Sequence, residues 1–157
     1  METLWNEITF GFKDWNDAGV VLLRLLAATL FGALIGVERE TAGKSAGVRT
    51  HMLVTLGTAV FVIACQRADF STDGLSRVIQ GIVTGIGFIG AGTILKLNEQ
   101  REIQGLTTAA GLWMTAAIGV AVGLGILGLA VIGTLVTLLV LVLEHFLQAR
   151  RNTQNKD

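Results

Sequence analysis

Residues 103–143 read IQGLTTAAGLWMTAAIGVAVGLGILGLAVIGTLVTLLVLVL, a run of 41 positions without one charged side chain. As a single helix this run would be about 60 Å long, twice the roughly 30 Å of hydrocarbon in a bilayer. It must therefore fold back on itself. Four glycines between Gly119 and Gly128 lower the helix propensity, which places the turn there. The run predicts two transmembrane helices joined by a short turn.

Three shorter apolar stretches precede this run, and each is long enough for one crossing. They are Ala18–Val37, which only Arg24 interrupts, Thr50–Gln66 and Val78–Leu95. None of them alternates apolar and polar residues as the strands of a membrane barrel do. The sequence therefore predicts an all-α polytopic membrane protein, with five transmembrane helices in residues 18–147.

Composition excludes several other classes of protein. Of the 157 residues, 52% are hydrophobic and 15% are charged. Soluble domains contain about 25% charged residues, so buried helices of a soluble protein are the weaker interpretation. Twelve basic and twelve acidic residues balance, which gives no indication of a nucleic-acid partner.

The sequence also offers no pattern typical of catalysis. It has no paired nucleophile and base, no metal-ligand cluster and no phosphate loop, so we predict that the protein is not an enzyme and has no cofactor or metal site. Gly85–Gly90 matches the dinucleotide fingerprint G-x-G-x-x-G. That fingerprint requires a preceding strand and an acid about 20 residues later, and both are missing from the sequence pattern.

The basic residues favour one side of the predicted membrane domain. Eight Lys and Arg fall in segments 38–49 and 96–102 and in the C-terminal tail, whereas Lys13, Arg67 and Arg77 fall on the other side. The positive-inside rule then places the N-terminus outside and the C-terminus in the cytoplasm.

The two ends of the chain differ from the predicted membrane domain. Within residues 1–17, apolar side chains recur at helical spacing, which predicts a short helix lying in the membrane interface. A flexible lead-in is the alternative. Residues 148–157 are polar, and we expect them to form a cytoplasmic tail.

Seven glycines in the first and third predicted helices are assigned to helix packing, because small residues let neighbouring backbones approach closely. They are Gly32, Gly36, Gly81, Gly85, Gly87, Gly90 and Gly92. The alternative is that the clustered glycines break the third helix and expose its carbonyl groups to a cavity, as in transporters.

Arg24 is the charged residue that lies well inside a predicted crossing. A buried arginine near the bilayer centre is costly. We therefore expect it to pair with Asp73, or with Asp69, near the turn that precedes the third helix and contains Arg77. The alternative is that its side chain extends to the outer interface, about 10 Å away.

Polar residues concentrate at the predicted cytoplasmic ends of the helices. The candidate functional cluster is Glu38, Arg39, Arg49, Thr50, Thr107 and Thr108. Glu38 and Arg49 directly abut apolar runs, so we expect an ion pair within about 4 Å that frames a site for a cation or a partner's helix. The alternative is structural, with Thr107 or Thr108 capping the fourth helix. His51 is expected at headgroup level and not as a metal ligand.

Several motifs, in order along the chain, resemble those of the MgtC/SapB family of bacterial inner-membrane proteins. They are GALIGVERE at 32–40, AGVRTH at 46–51, GIGFIGAG at 85–92 and GLTTAAGLW at 105–113, together with DGLSR at 73–77. Each motif alone is weak evidence, whereas the ordered set is specific. The resemblance covers nearly all of residues 20–128 and concerns the transmembrane part of the family, whose longer members add a cytoplasmic ACT-like domain.

The resemblance implies a five-helix protein of the bacterial inner membrane that serves adaptation to low magnesium, to acid and to life inside host cells. Some members of the family restrain the membrane ATP synthase. We therefore expect a regulator or accessory factor in ion or pH homeostasis, with the bilayer and another membrane complex, such as an ATP synthase, as partners. A homo-oligomer is also compatible with the sequence. The alternatives are a transporter or channel for a magnesium-type cation or small solute, and a structural packing subunit.

Overall fold

The computed structural model describes Phe12 and residues 14–97 and 102–154. Within these ranges the chain forms five α-helices, which confirms the predicted number. They are α1 (Trp15–Thr41), α2 (Val48–Arg67), α3 (Thr72–Gly92), α4 (Leu106–Gly123) and α5 (Leu127–Gln154). The first four are each long and apolar enough to cross a membrane, and the apolar part of α5 covers Leu127–Leu143.

The turn predicted between residues 119 and 128 joins α4 to α5. The amide of Gly125 donates to the carbonyl of Val122 at 2.9 Å, and that of Ile126 donates to Ala121 at 2.9 Å. Gly125 has a φ of +82°, a left-handed conformation that glycine adopts without steric cost. The 41-residue run therefore folds back where its glycines predict.

A short β-hairpin between α3 and α4 was not predicted. Strand β1 (Leu95–Leu97) pairs antiparallel with β2 (Glu102–Gln104), and Lys96 lies opposite Ile103. Leu95 and residue 103 belong to the apolar runs that were predicted to be helical. The two strand sequences, LKL and EIQ, each alternate apolar and polar residues, which suits a strand better than a helix end.

The predicted boundaries of the terminal segments differ from the ends of the helices. Residues 1–11 and 13 of the predicted interfacial helix lie outside the described residues. α1 begins at Trp15, where Asp14 caps it by accepting a hydrogen bond from the amide of Asp17 at 2.8 Å. α5 remains helical to Gln154, beyond the predicted start of the polar tail at residue 148.

Helix α2 lies between α1 and α4, and glycines bring all three backbones together. A Cβ atom at Gly36 of α1 would lie 2.5 Å from the Cα of Val48, and one at Gly32 would lie 2.6 Å from the carbonyl oxygen of His51. On the opposite side, a Cβ at Gly123 of α4 would lie 2.7 Å from the Cβ of Val62. Any side chain at these positions would force the helices apart.

Helix α3 lies at the edge of this three-helix unit and packs mainly on α4. The described side chains of α3 are mostly exposed, and Ile86 and Gly90 are its buried residues. Large apolar side chains are exposed on α1, α2, α3 and α5 as well, including Leu26, Leu53 and Leu139. Such a surface suits contact with lipid, because water would not favour so large an apolar area.

Candidate functional site

A buried polar cluster lies where the C-terminal end of α1 meets the N-terminal ends of α2 and α4. We define it by Glu38 and Arg39 of α1, His51 and Thr55 of α2, and Thr108 and Thr115 of α4. All except Glu38 are almost fully buried. Antiparallel packing brings these helix ends to one end of the bundle, which is why residues distant in sequence meet there.

Glu38 and Arg39 form a bidentate ion pair within this polar cluster. Arg39 Nε lies 2.5 Å from Glu38 Oε2, and Nη2 lies 2.7 Å from Oε1. The side chain of Arg39 is 1% exposed and that of Glu38 is 15% exposed. Consecutive residues of a helix project in different directions, so both side chains must turn toward each other to form the ion pair. The pairing offsets the cost of burying either charge alone.

His51 connects α2 to α4 from the other side of the polar cluster. Its Nδ1 lies 2.7 Å from Oγ1 of Thr115, and that hydroxyl donates to the carbonyl of Gly111 at 2.8 Å. A hydroxyl has one proton to donate, so the Nδ1–H of His51 is the donor in the first bond. In a neutral ring Nε2 is then a hydrogen-bond acceptor.

The environment of the imidazole is tightly packed and charged. Glu38 and Arg39 lie close enough to interact with the ring electrostatically, and the carbonyl of Ala46 also interacts with it. Within the described chain, Nε2 is nevertheless buried without a partner in acceptable hydrogen-bond geometry. The ring packs on α4 at Gly111, where an added Cβ would lie 3.8 Å from Cε1, an ordinary van der Waals distance. The polar cluster therefore contains a buried imidazole beside a buried ion pair.

The predicted ion pair between Glu38 and Arg49 is wrong. Glu38 bonds to Arg39, whereas Arg49 and Thr50 line the exposed surface between α2 and α3. Arg49 occupies the first turn of α2, where its side chain is exposed and lines a small pocket together with Glu40 at the end of α1. The six predicted residues thus share one end of the bundle but divide between two surroundings.

The predicted threonines of α4 also separate. Thr108 is 2% exposed and lies on the face of α4 that carries Gly111 and Thr115, one and two turns further on. Thr107 is half-buried. Neither is the N-cap of α4, because that position belongs to Gly105, which has a φ of +94° and no side chain to cap with.

Arg24 has different partners from those predicted. Its Nη1 donates to the carbonyl oxygen of Gly123 at 3.0 Å and to Oε1 of Gln66 at 3.2 Å. Asp73 lies in the first turn of α3, and within the described residues no ion pair joins Arg24 to Asp73 or to Asp69, so the expected pairing is wrong. The guanidinium instead satisfies a carbonyl that the end of α4 leaves unpaired, and the helix dipole favours a cation there.

The glycines assigned to packing divide between two helices. Gly32 and Gly36 contact α2 closely, and Gly90 lies against Ala109 of α4. The remaining four have nothing within 4 Å of an added Cβ: they are Gly81, Gly85, Gly87 and Gly92. Within the described chain these four glycines do not pack against another helix: Gly81 and Gly85 line an open groove between α2 and α3, and Gly87 and Gly92 are exposed outside it. Arg77, another predicted residue of α3, is exposed and does not belong to the polar cluster.

Residues 25–150 match the sequence profile of the MgtC family over most of the described bundle. The chain belongs to the MgtC family. It is 46% identical over 141 residues to a protein of Escherichia coli K12 named "Putative magnesium transporter YhiD". It is 44% identical over 139 residues to SrpB of Synechococcus elongatus, and 46% identical over 117 residues to MgtC of Salmonella typhimurium.

The three similar proteins, YhiD, SrpB and MgtC, are longer than the chain. The alignments cover 85%, 82% and 74% of this chain but 65%, 75% and 49% of YhiD, SrpB and MgtC, respectively. The aligned part of the chain thus corresponds to about two thirds of YhiD and about half of MgtC. No solved structure matches the chain.

The hydrogen bond between α2 and α4, which joins His51 to Thr115, was not predicted. His51, Thr55 and Thr58 recur along one face of α2, and Thr108 and Thr115 along one face of α4. Polar residues at helical spacing inside apolar runs were the available signal. That signal is ambiguous, because a threonine can bond to a carbonyl group of its own helix without a partner helix, as Thr55 and Thr58 do.

Proposed function

We propose that the protein is a membrane-embedded regulator or accessory factor in ion or pH homeostasis that acts through another membrane protein. The observation that carries this proposal is the sealed polar cluster. Buried charges in membrane helices are expensive and commonly mark function. In this cluster Arg39 and His51 are closed off, and Glu38 is the member nearest the surface. A closed cluster suits a conformational or docking role better than conduction.

The orientation that we propose places this polar cluster on the cytoplasmic side. We take five crossings, one for each apolar helix. The eight-to-three distribution of Lys and Arg then favours an N-terminus outside and a C-terminus in the cytoplasm. The membrane is the bacterial inner membrane, as family membership suggests. The membrane ATP synthase is the partner to test first, and its coupling between proton flow and ATP turnover provides an assay.

Magnesium transport is the alternative, favoured by the name given to YhiD of Escherichia coli. Mg²⁺ binds carboxylate oxygens and keeps several of its waters. Both carboxylate oxygens of Glu38 bond to Arg39, which leaves the polar cluster poorly suited to a hydrated divalent cation. Transport would require this ion pair to open during each cycle.

ATP-driven proton pumping in inverted inner-membrane vesicles tests the regulatory proposal. Vesicles containing the protein should pump more slowly than vesicles without it, and Glu38→Gln should abolish the difference. Asp73→Asn is the matched control, because it also replaces a carboxylate by an amide, on an exposed site outside the polar cluster. The tagged protein should also co-purify with a membrane complex, and Glu38→Gln should reduce the yield of that complex.

The transport alternative makes the opposite forecast. Purified protein in liposomes would then carry Mg²⁺ down an imposed gradient, and Glu38→Gln would slow the flux. Saturable flux by the purified protein, together with unchanged pumping in vesicles, would refute the regulatory proposal.

A further inference from the structure

We propose that the surface between α2 and α3 binds a phospholipid whose headgroup contains both a phosphate and a primary ammonium, the phosphatidylethanolamine class. This inference is independent of the regulatory function proposed above. It concerns a groove and an adjoining polar pocket that share two residues, Arg49 and Thr50.

The groove has a volume of about 800 Å³ and an almost entirely apolar lining. It exists because α3 leans on α4 and diverges from α2. Gly57, Gly81 and Gly85 line it, and a Cβ at any of the three would meet nothing within 4 Å. Apart from Arg49, the polar residues of the lining are Thr50 and Thr58. A surface of this kind at hydrocarbon depth suits an acyl chain.

The adjoining polar pocket has a volume of about 340 Å³ and lies at the N-terminal end of α2. Arg49 and Glu40 both line it, so a cation and an anion face the same small space. The side chain of Arg49 is exposed and forms no ion pair with a described residue. Glu40 uses Oε2 to accept from the amide of Val48 at 3.0 Å, which leaves Oε1 for a ligand.

Charge complementarity selects the headgroup. A guanidinium binds phosphate oxygens well, and the first amides of a helix also favour an anion. Glu40 would repel a purely anionic headgroup but would attract an ammonium next to the phosphate, and its Oε1 can accept a hydrogen bond from a primary ammonium but not from the trimethylammonium of a choline headgroup. An occupant must therefore carry both charges at one end and a long apolar chain at the other. A second protein helix offers the apolar part without this paired headgroup.

Native mass spectrometry of the full chain in detergent tests the proposal, with phosphatidylethanolamine, phosphatidylglycerol and phosphatidylcholine of identical acyl chains as probes. The ethanolamine lipid should be retained about fivefold more than the other two, a ratio equivalent to one exposed ion pair. Arg49→Gln should remove this retention. Glu40→Gln should keep phospholipid binding but lose the preference for ethanolamine over glycerol headgroups.

Substitutions in the apolar groove provide a second arm with matched controls. Gly85→Leu fills the groove from a position with open space, so it should reduce retention of all three lipids without lowering the unfolding temperature. Gly87→Leu makes the same change on an equally open glycine outside the groove, and Arg77→Gln removes an exposed arginine of α3 that does not line it. Both controls should retain lipid normally.

Three results would overturn the proposal. In the first, Arg49→Gln and Gly85→Leu retain the ethanolamine lipid as the unmodified protein does. In the second, the unmodified protein is a dimer that Gly85→Leu dissociates, with no preference among lipids. The second result would assign the groove to another copy of the chain. Equal retention of glycerol and ethanolamine lipids would refute the ammonium site at Glu40.

Discussion

The contact of Gly36 with α2 leads to a quantitative prediction for Gly36→Ala. The added Cβ would lie 2.5 Å from the Cα of Val48, 3.1 Å from its amide nitrogen and 3.2 Å from the carbonyl oxygen of Gly47. Ordinary van der Waals contact begins at 3.4 Å, so α1 and α2 must separate locally by several tenths of an ångström. All three obstructing atoms belong to the backbone, so no rotamer change relieves the clash.

Two opposing free energies determine the effect of this substitution. Overpacking of a core costs about 1–3 kcal/mol. Replacing glycine by alanine inside a helix contributes up to about 1 kcal/mol of stability. Gly87→Ala isolates the second contribution, because an added Cβ there meets nothing within 4 Å. The difference between the two variants is then the packing penalty, and Gly36→Ala should be less stable than Gly87→Ala by about 1–3 kcal/mol.

Unfolding in a fixed detergent mixture, titrated with a denaturing detergent and followed by tryptophan fluorescence, measures this difference. The chain contains three tryptophans, and neither substitution replaces one. Gly87→Ala should be at least as stable as the unmodified protein. Equal midpoints for the two variants would show that α1 and α2 adjust without cost, and that the glycine contact does not determine their spacing.

Three further predictions concern other contacts. Arg24→Gln should lower the free energy of unfolding by about 1.5–3 kcal/mol, the range for a hydrogen bond to a charged group, while Asp73→Asn should leave the same unfolding curve unchanged. Thr115→Val should cost about 1–3 kcal/mol in that assay because it leaves a buried imidazole nitrogen unsatisfied; a stability equal to that of the unmodified protein would contradict the assigned bond. A reporter that is active only in the cytoplasm should work when fused after Asp157 and fail when fused before Leu4; activity at both ends would refute an odd number of crossings.

The helices were predictable because their signal is local. A run of 41 uncharged residues is long enough for two crossings of a bilayer, and the glycines around Gly125 mark the turn between them. The hairpin at Leu95–Leu97 was hidden because three residues are too few to show a period beside long apolar runs. Long segments were therefore predictable from the sequence, whereas three-residue strands were not.

The contacts between helices were less predictable, because they depend on how each helix is rotated about its axis. Gly32 and Gly85 both belong to small-xxx-small pairs, yet one contacts α2 and the other faces an open groove. Likewise, two arginines, Arg39 and Arg49, follow Glu38 in the sequence, and the ion pair forms with Arg39. Spacing along the chain identified the correct residue types but not their partners.

The unequal lengths of α1 and α4 have a consequence for how the protein sits in a bilayer. α1 has 27 residues and α4 has 18, which correspond to about 40 Å and 27 Å. At about 27 Å the shorter helix has little length to spare across roughly 30 Å of hydrocarbon, where an unpaired carbonyl would have no water to bond to. Arg24 donates to the Gly123 carbonyl at its end, seven residues or about 10 Å along α1 from Asp17, which pairs with Arg67. One arginine of the longer helix thus sets the level of the α4–α5 turn along α1.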